Sequence, residues 1–215
     1  MHFAHNHAVS ALIFDMDDLL VRSAAIWLAA ENSLLRALGQ TWTPELAAQY
    51  KGMNSLDVAR VIHETYRPAW PLTESQRLLR DTLIAGFNGQ VEPMPGAVEM
   101  VQRVAGRVPM AVASGSPLTA IEYCLNTLGL RQHFAQVISS EVVPLGKPHP
   151  DVFLAVATAL NVPAGKCLVF EDSLIGVRAA AAAGMRCFSV PSGPHTEANR
   201  YFPSLAAIKL EDIFP

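Results

Sequence analysis

Length, composition and charge exclude several classes of protein. The chain has 215 residues, which suits one large α/β domain or such a domain with a smaller insert. Hydrophobic residues make up 51% of the sequence and charged residues 16%, a balance that excludes extensive disorder. The formal net charge of −3 predicts no broad basic surface and therefore no nucleic-acid partner. No apolar run reaches the length of a membrane span, so no membrane partner is expected.

The N-terminus and the cysteines favour a reducing compartment. The start, MHFAHNHAVS, lacks the charged and apolar regions of a signal peptide, and its histidines suit a frayed terminus better than a metal site: His2, His5 and His7. Three cysteines form no CxxC pair and are expected to be buried free thiols: Cys124, Cys167 and Cys187. We therefore predict a soluble cytoplasmic protein. A monomer is compatible with the sequence, which does not define the oligomeric state.

The first predicted element is a strand at 11–15, an apolar run that ends on an acid. A block with helical patterns only follows it, with helices predicted at 24–38, 44–50, 55–66 and 74–87. Glycines and prolines separate these helices: Gly39, Pro44, Gly52, Pro68 and Pro71. A helical block inserted directly after a first strand predicts a separate cap domain at 22–90.

Strand and helix patterns alternate over the rest of the chain. Short apolar runs predict buried strands at 108–113, 135–139, 167–171 and 186–190. Helices are predicted at 95–105, 117–128, 149–160 and 173–183. Ser116 is a candidate N-cap for the second of these helices, Ser173 lies near the start of the fourth, and Gly184 stops it. The alternation predicts an α/β fold with a doubly wound parallel sheet, built from residues 1–21 and 91–215.

Polar residues follow four of the predicted strands. They are Asp15 and Asp17 after the first, Ser114, Gly115 and Ser116 after the second, Lys147 after the third, and Glu171 and Asp172 after the fourth. Ligands of open α/β sheets bind beyond the carboxyl ends of the strands. We therefore expect these acids, hydroxyls and the lysine to converge on one rim.

The residue types on this rim favour metal-assisted phosphoryl transfer. Three or four carboxylates in one site repel one another unless a cation joins them, and oxygen ligands select Mg²⁺ over Zn²⁺. A phosphoryl group needs positive charge and hydrogen-bond donors, which Lys147, Ser114 and the backbone near Gly115 supply. A carboxylate then serves as nucleophile and forms an aspartyl-phosphate.

Four segments resemble motifs of the haloacid dehalogenase superfamily. They are FDMDDLL at 14–20, ASGS at 113–116, GKPHPDVF at 146–153 and FEDSLIGVRAAAAAG at 170–184. The resemblance covers almost the whole core and implies its Rossmann-like fold. The helical insert is similar to that of the small-cap subgroup, which includes sugar-phosphate phosphatases, phosphoglycolate phosphatases and β-phosphoglucomutase.

The resemblance implies a role for each acid of the rim. Asp15 would attack phosphorus and bind Mg²⁺. Asp17 would protonate the leaving alcohol and then activate water, while its backbone carbonyl binds the metal. Asp172 would ligate Mg²⁺ directly or through water, with Glu171 as a ligand or as its partner.

The remaining rim residues are implied to hold the phosphoryl group. Ser114 would bind a phosphoryl oxygen, and Lys147 would neutralise both the nucleophile and the phosphoryl group. Gly115 and Ser116 complete the binding loop.

The sequence departs from the family pattern at the entrance to the cap. Asp18 stands where the family usually has glycine, although aspartate tolerates left-handed backbone better than most residues. The common aspartate-serine-glutamate run is Arg22-Ser23-Ala24 here. Both departures are expected to affect cap closure and substrate choice rather than the class of reaction.

The segment 51–55, KGMNS, is similar to the family's substrate-specificity loop. Gly52 would permit a close approach to the site, and Lys51 and Asn54 would reach substrate hydroxyls. An ordinary turn in which Asn54 or Ser55 caps the next helix is an equally good interpretation. The cap also holds all the tryptophans, for which packing is the default explanation: Trp27, Trp42 and Trp70.

A Mg²⁺-dependent phosphatase for a small sugar or polyol phosphate is the leading prediction. A sugar-phosphate mutase is an alternative, weakened because β-phosphoglucomutases usually carry arginine at the place of Ser55. A dehalogenase is disfavoured by Asp17, the second acid. A sensor that binds a phosphorylated metabolite without catalysis is disfavoured because no catalytic acid is missing and Lys147 is present.

Overall fold

In the part of the chain that the structure describes, six parallel strands form a sheet in the order β3-β2-β1-β4-β5-β6. The computed structural model describes residues 8–89, 91–190 and 195–215, so the three N-terminal histidines lie outside the described residues. The strands are β1 (Ala11–Phe14), β2 (Met110–Ser114), β3 (Gln136–Ser139), β4 (Cys167–Glu171), β5 (Arg186–Ser189) and β6 (Arg200–Tyr201). Since β1 and β4 are central, their side chains are buried on both faces, as their continuous apolar sequences predict.

Alternate residues of β1 point into two hydrophobic layers. Leu12 and Phe14 join the layer that contains helices α5 (Ala97–Val104) and α6 (Leu118–Thr127). Ala11 and Ile13 join the layer that contains α7 (Asp151–Leu160) and α8 (Leu174–Ala182). Because strand side chains alternate between faces, a sheet covered on both faces follows. The predicted doubly wound α/β fold is thereby confirmed.

Four helices between β1 and α5 form a separate bundle, here called the cap. They are α1 (Ala24–Ala37), α2 (Pro44–Tyr50), α3 (Ser55–Tyr66) and α4 (Leu72–Phe87). Helix α4 packs against both α1 and α3, and its side chains Leu79, Leu83 and Phe87 are fully buried. The helix positions agree with the sequence prediction to within two residues.

The two chain segments that join the cap to the sheet lie side by side. Arg22 N donates to Glu92 O at 2.9 Å, and Met94 N donates to Leu20 O at 3.0 Å. Val21 and Pro93 form an isolated antiparallel bridge between these contacts. We call this pair of connecting segments the hinge.

Helix α6 does not begin as the sequence predicts. Pro117 occupies its N-cap position, and the Ser116 hydroxyl donates to Asp17 instead of capping the helix. Ser173 lies at the start of α8 as predicted, and it caps this helix because its Oγ accepts from Gly176 N at 3.1 Å. Gly184 ends that helix in left-handed backbone with a φ of 71°.

The sequence does not predict β6 or the short helix α9 (Leu210–Ile213). Strand β6 is only two exposed residues long, and side-chain contacts rather than an apolar run position it. The guanidinium of Arg200 lies over the rings of Phe188 and Phe202 and pairs with Asp212 at 2.7 Å.

The cysteines are buried and free, as predicted. Among the helices of the described residues, none has the length and apolarity of a membrane span.

Candidate active site

The predicted rim residues converge at the carboxyl ends of the strands. Asp15 directly follows β1, Ser114 ends β2, Glu171 ends β4, and Lys147 lies in the loop before α7. We call this set, with Asp17 and Asp172, the carboxyl edge. A cavity of about 320 Å³ lies between the carboxyl edge and the cap. Such a volume is at the small end of ligand pockets, which span roughly 300–1,000 Å³.

Lys147 joins two acids in the interior. Its Nζ lies 2.7 Å from Asp15 Oδ1 and 2.5 Å from Glu171 Oε1, and it also donates to Ala113 O at 3.3 Å. The side chain is almost completely buried. Burial alone would lower the pKa of Lys147, but Asp15 and Glu171 outweigh it and hold the pKa above its usual value. Lys147 is therefore a fixed positive charge beside Asp15.

The carboxylates of the edge exceed the positive charge that faces them. Asp15, Glu171 and Asp172 offer oxygens that all lie within 4.8 Å of one another. Burial raises the pKa of Asp15, Lys147 lowers it in part, and the neighbouring acids raise it further. Burial and then Glu171 raise the pKa of Asp172 to about 7. A cluster of buried carboxylates that repel one another fits a hard divalent cation such as Mg²⁺.

Local backbone structure fixes the orientation of Glu171. Its Oε2 accepts from Ser173 N at 2.9 Å and from Ser173 Oγ at 3.0 Å. A Cβ atom at Gly176 would overlap the Glu171 carboxyl group. The FEDSLIG segment thus requires a small residue at Gly176, because the helix start lies directly against this carboxylate.

Asp17 receives hydrogen bonds from both the core and the cap. Its Oδ2 accepts from Ser114 Oγ at 2.8 Å and from Ser116 Oγ at 2.9 Å, and its Oδ1 accepts from Trp27 Nε1 at 2.8 Å. Burial raises the pKa of Asp17, and these donors reduce the rise without cancelling it. Asp17 is thus an acid that can hold a proton at a higher pH than an exposed aspartate.

Ser114 and Ser116 were predicted to contact the substrate. In the structure both hydroxyls bond Asp17, both residues are buried, and neither lines the cavity. Gly115 between them does line it. The phosphoryl-binding role of Ser114 and the substrate contact of Ser116 therefore stay predictions.

The loop 51–55 lies directly on the core. Ser55 N donates to Gly115 O at 3.1 Å, and a Cβ atom at Gly115 would be only 2.8 Å from Met53 O. Gly52 has a φ of 86°, and a Cβ atom there would be 2.7 Å from the Ile175 side chain. Both glycines are needed because the loop and the core backbone approach so closely.

The two residues of this loop that the sequence predicts to contact substrate, Lys51 and Asn54, lie in different environments. Lys51 lines the cavity, and its Nζ lies 3.5 Å from Asp172 Oδ2. Asn54 is buried, caps α3 by accepting from Asp57 N at 2.8 Å, and donates Nδ2 to Asp57 Oδ2 at 2.8 Å. The capping interpretation of Asn54 is confirmed. Its substrate contact stays a prediction, and this geometry does not favour it.

Besides residues of the loop 51–55, seven described residues of the cap line the cavity, and the sequence singled out none of them for binding. Ser23 and Ala24 lie at the hinge, and we call the other five the cap wall: Trp27, Leu28, Glu31, Trp42 and Tyr50. Trp42 Nε1 donates to Glu31 Oε2 at 3.0 Å, and burial raises the pKa of Glu31. Trp27 and Trp42 pack against the hydrophobic core, as expected, and they also line the cavity. Trp70 bonds Ser75 inside the cap.

A signal for part of the cap wall is present in the sequence. Ala24, Trp27, Leu28 and Glu31 follow the spacing i, i+3, i+4, i+7, which places them on one helix face. A glutamate among apolar residues on such a face needs a partner, because buried carboxylates are costly when isolated.

Asp18 holds the start of the cap. It adopts left-handed backbone with a φ of 53°, a conformation that aspartate tolerates better than most residues. Its Oδ1 accepts from Ser23 N at 2.9 Å and from Ala24 N at 3.1 Å, at the N-terminus of α1. The departure from glycine thus adds a side-chain cap at the hinge.

Comparison with known proteins identifies the family. A model of haloacid dehalogenase-like hydrolases matches residues 9–184, a stretch that contains all four motifs. The chain belongs to this family. This hydrolase is 35% identical over 193 residues to a probable pseudouridine-5'-phosphatase of Drosophila melanogaster, covering 85% of this chain and 82% of that protein. It is 33% identical over 185 residues to fructose-1-phosphate phosphatase YqaB of Escherichia coli (strain K12), covering 84% and 96% respectively.

A solved structure gives the same fold. The crystal structure of β-phosphoglucomutase from Clostridium difficile superposes with a TM-score of 0.86 over 95% of each chain. The two sequences are 23% identical. This likeness confirms the architecture of the haloacid dehalogenase-like core with its helical cap.

Proposed function

We propose that this protein is a Mg²⁺-dependent phosphatase that hydrolyses a small sugar phosphate through an aspartyl-phosphate on Asp15. The prediction of a phosphoric monoester hydrolase is confirmed by the named phosphatases among its relatives. The observation that carries the finer proposal is the environment of Asp15, which lies at the cavity with Lys147 Nζ 2.7 Å away. The names of the relatives, for fructose 1-phosphate and hexitol phosphates, support a sugar or polyol phosphate.

In the first step a carboxylate oxygen of Asp15 attacks phosphorus. The bond between phosphorus and the ester oxygen breaks, and that oxygen takes a proton from Asp17 and leaves as an alcohol. The raised pKa of Asp17 favours the protonated form that this step requires. Lys147 offsets negative charge on Asp15 and the phosphoryl oxygens.

In the second step water attacks the phosphorus of the aspartyl-phosphate. Asp17, now a carboxylate, takes a proton from the water, and the bond between phosphorus and Asp15 breaks. Inorganic phosphate is released, and Asp15 and Asp17 return to their initial protonation states. Trp27, Ser114 and Ser116 hold the Asp17 carboxylate in place between the two steps.

The carboxyl edge has the chemistry of a Mg²⁺ site. Asp15, Asp172 and the backbone carbonyl of Asp17 would hold the ion, with Glu171 as a ligand or as a partner of the ligands. When bound, Mg²⁺ supplies positive charge that lowers the repulsion between these carboxylates and the phosphoryl group.

Phosphate release from a panel of sugar and polyol phosphates tests the proposal. We expect turnover with Mg²⁺, none after chelation, and recovery when Mg²⁺ is added back. Asp15→Asn should abolish turnover while the exposed control Asp81→Asn does not, since Asp81 lies on the outer surface of α4. Turnover that persists without metal would contradict the metal requirement. An isomerised sugar phosphate in place of free phosphate would identify a mutase.

A further inference from the structure

The cap wall is mostly aromatic. Three of its five members are aromatic and one is aliphatic, so Glu31 is its only charged group. The other polar side chains on the cap side of the cavity are those of Ser23, Tyr50 and Lys51. A mostly aromatic surface with one carboxylate fits a planar group that carries a hydrogen-bond donor.

The two tryptophans of the cap wall are held by their own N–H groups. Trp27 Nε1 is bonded to Asp17 at 2.8 Å, and Trp42 Nε1 is bonded to Glu31 at 3.0 Å. Each indole is therefore fixed before a ligand arrives, and such preorganisation reduces the entropy lost on binding. Rigid aromatic rings favour contact with a second planar ring, by stacking or edge to face.

The position of Trp27 defines which part of the ligand it meets. Asp17 must lie near the ester oxygen if it protonates that oxygen, and Trp27 is bonded to Asp17. The portion of the substrate just beyond the ester oxygen therefore lies near Trp27. A planar group attached to the sugar would extend from there along the cap wall towards Trp42.

Glu31 places a carboxylate in the cavity lining. It is 7% exposed, and its bond from Trp42 engages Oε2; among the described residues no hydrogen bond engages Oε1. An ionised carboxylate only accepts hydrogen bonds. A ligand that covers Glu31 must therefore present an N–H or O–H group to it.

We propose that the sugar phosphate carries a planar nitrogen heterocycle with an N–H donor, as in a nucleoside 5′-monophosphate, with the ring along the cap wall and its N–H on Glu31. This inference rests on the proposed function, because it places the phosphate at Asp15. It names the substrate class within that function. The sugar then lies between the carboxyl edge and the cap wall, near Lys51.

The direct test compares esters that share the reacting phosphate and differ in the ring. We expect kcat/KM for at least one of the four common nucleoside 5′-monophosphates to exceed that for ribose 5-phosphate by about tenfold or more, the usual worth of a ring contact with a charged hydrogen bond. If ribose 5-phosphate or an open-chain hexitol phosphate is hydrolysed as well as every nucleotide, the ring-bearing class is wrong and the phosphatase stands. If no ester of the panel releases phosphate, both proposals fail.

A conservative variant tests the role of Glu31 separately. In Glu31→Gln the amide oxygen still accepts from Trp42, but the other atom becomes a donor and repels an N–H group. We expect the ratio of kcat/KM for the best nucleotide to kcat/KM for ribose 5-phosphate to fall about tenfold. The matched control Glu64→Gln, on an exposed part of α3, should keep the ratio of the unaltered protein. An unchanged ratio in folded Glu31→Gln would overturn the assignment of Glu31.

Discussion

The carboxyl edge and the cap wall face each other across one cavity but are built in different ways. Residues of the carboxyl edge are attached to strand ends and to each other, as Lys147 is to Asp15 and Glu171. Residues of the cap wall come from helices and loops that meet only in the folded cap. In the proposed function this difference separates two tasks: the carboxyl edge would perform the chemistry on any ester, and the cap wall would choose the ester.

Hydrogen bonds join the cap to the core at several points. Trp27 of the cap wall donates to Asp17, and Arg80 of α4 donates to Glu141, which follows β3, at 3.1 Å. Ser55 also donates to Glu141. Asp17 therefore keeps its hydrogen bond from Trp27 only when the cap lies on the core, whereas Ser114 and Ser116 hold it from the core itself. Changes at the carboxyl edge should lower the rate with every substrate, whereas changes at the cap should alter the ranking of substrates.

Removal of the Lys147 charge should have the largest effect. In Lys147→Met, Asp15 and Glu171 lose their common partner, so we expect turnover below detection for every ester. Because a buried ion pair that loses one member typically costs about 3–5 kcal/mol, the midpoint of urea unfolding should also fall. The control Lys166→Met, at an exposed lysine, should change neither quantity. Lys147→Met turnover at a substantial fraction of the normal rate would contradict the role of this charge.

Replacement of Asp17 should distinguish leaving groups. A general acid typically contributes 10²–10⁴-fold, and a basic alkoxide needs the proton more than a stabilised phenolate does. Asp17→Asn should therefore slow aspartyl-phosphate formation far more with a sugar phosphate than with nitrophenyl phosphate. Hydrolysis of the aspartyl-phosphate should slow equally for both. Single-turnover experiments measure the rates of the two steps separately with each substrate. If Asp17→Asn slows aspartyl-phosphate formation equally with both substrates, a different group is the acid.

Metal-free protein should lose stability as the pH rises. The pKa of Asp172 is raised from 3.8 to about 7, so between these values the folded state binds more protons than the unfolded state. Unfolding free energy therefore falls as the pH rises from about 4 to about 7. Thermal melts across this range with chelator, repeated with Mg²⁺, measure the effect. Mg²⁺ should remove most of the decline, and a melt that is flat with pH in chelator would contradict the excess of buried carboxylates.

Loss of the Asp18 side chain should have the smallest effect. Asp18→Gly keeps the left-handed backbone but removes the acceptor for Ser23 N and Ala24 N, which is worth about 1 kcal/mol for a typical helix cap. Asp18→Asn retains an acceptor and is the matched control. We expect a lower unfolding midpoint for the glycine variant than for asparagine. If both variants melt alike, the side-chain cap contributes nothing to the hinge.

The sequence predicts the carboxyl edge better than the cap wall for a physical reason. Asp15 and Glu171 lie at the ends of apolar runs, and parallel strands bring all such ends to one edge whatever the details of packing. Glu31 and Trp42 meet only because α1 and the segment before α2 pack together, and no local pattern encodes that distance. Side-chain direction is also beyond local patterns: Ser116 was assigned to a helix cap, yet its hydroxyl bonds Asp17.

The covalent state of Asp15 tests the central claim most directly. Protein mixed with its substrate and Mg²⁺, quenched in acid within one turnover and digested with protease, can be examined by mass spectrometry. We predict one added phosphoryl group on the peptide that contains Asp15, lost on longer incubation and absent in Asp15→Asn. Substrate turnover with no phosphorylated peptide at any quench time, or with the phosphoryl group on another residue, would contradict the account.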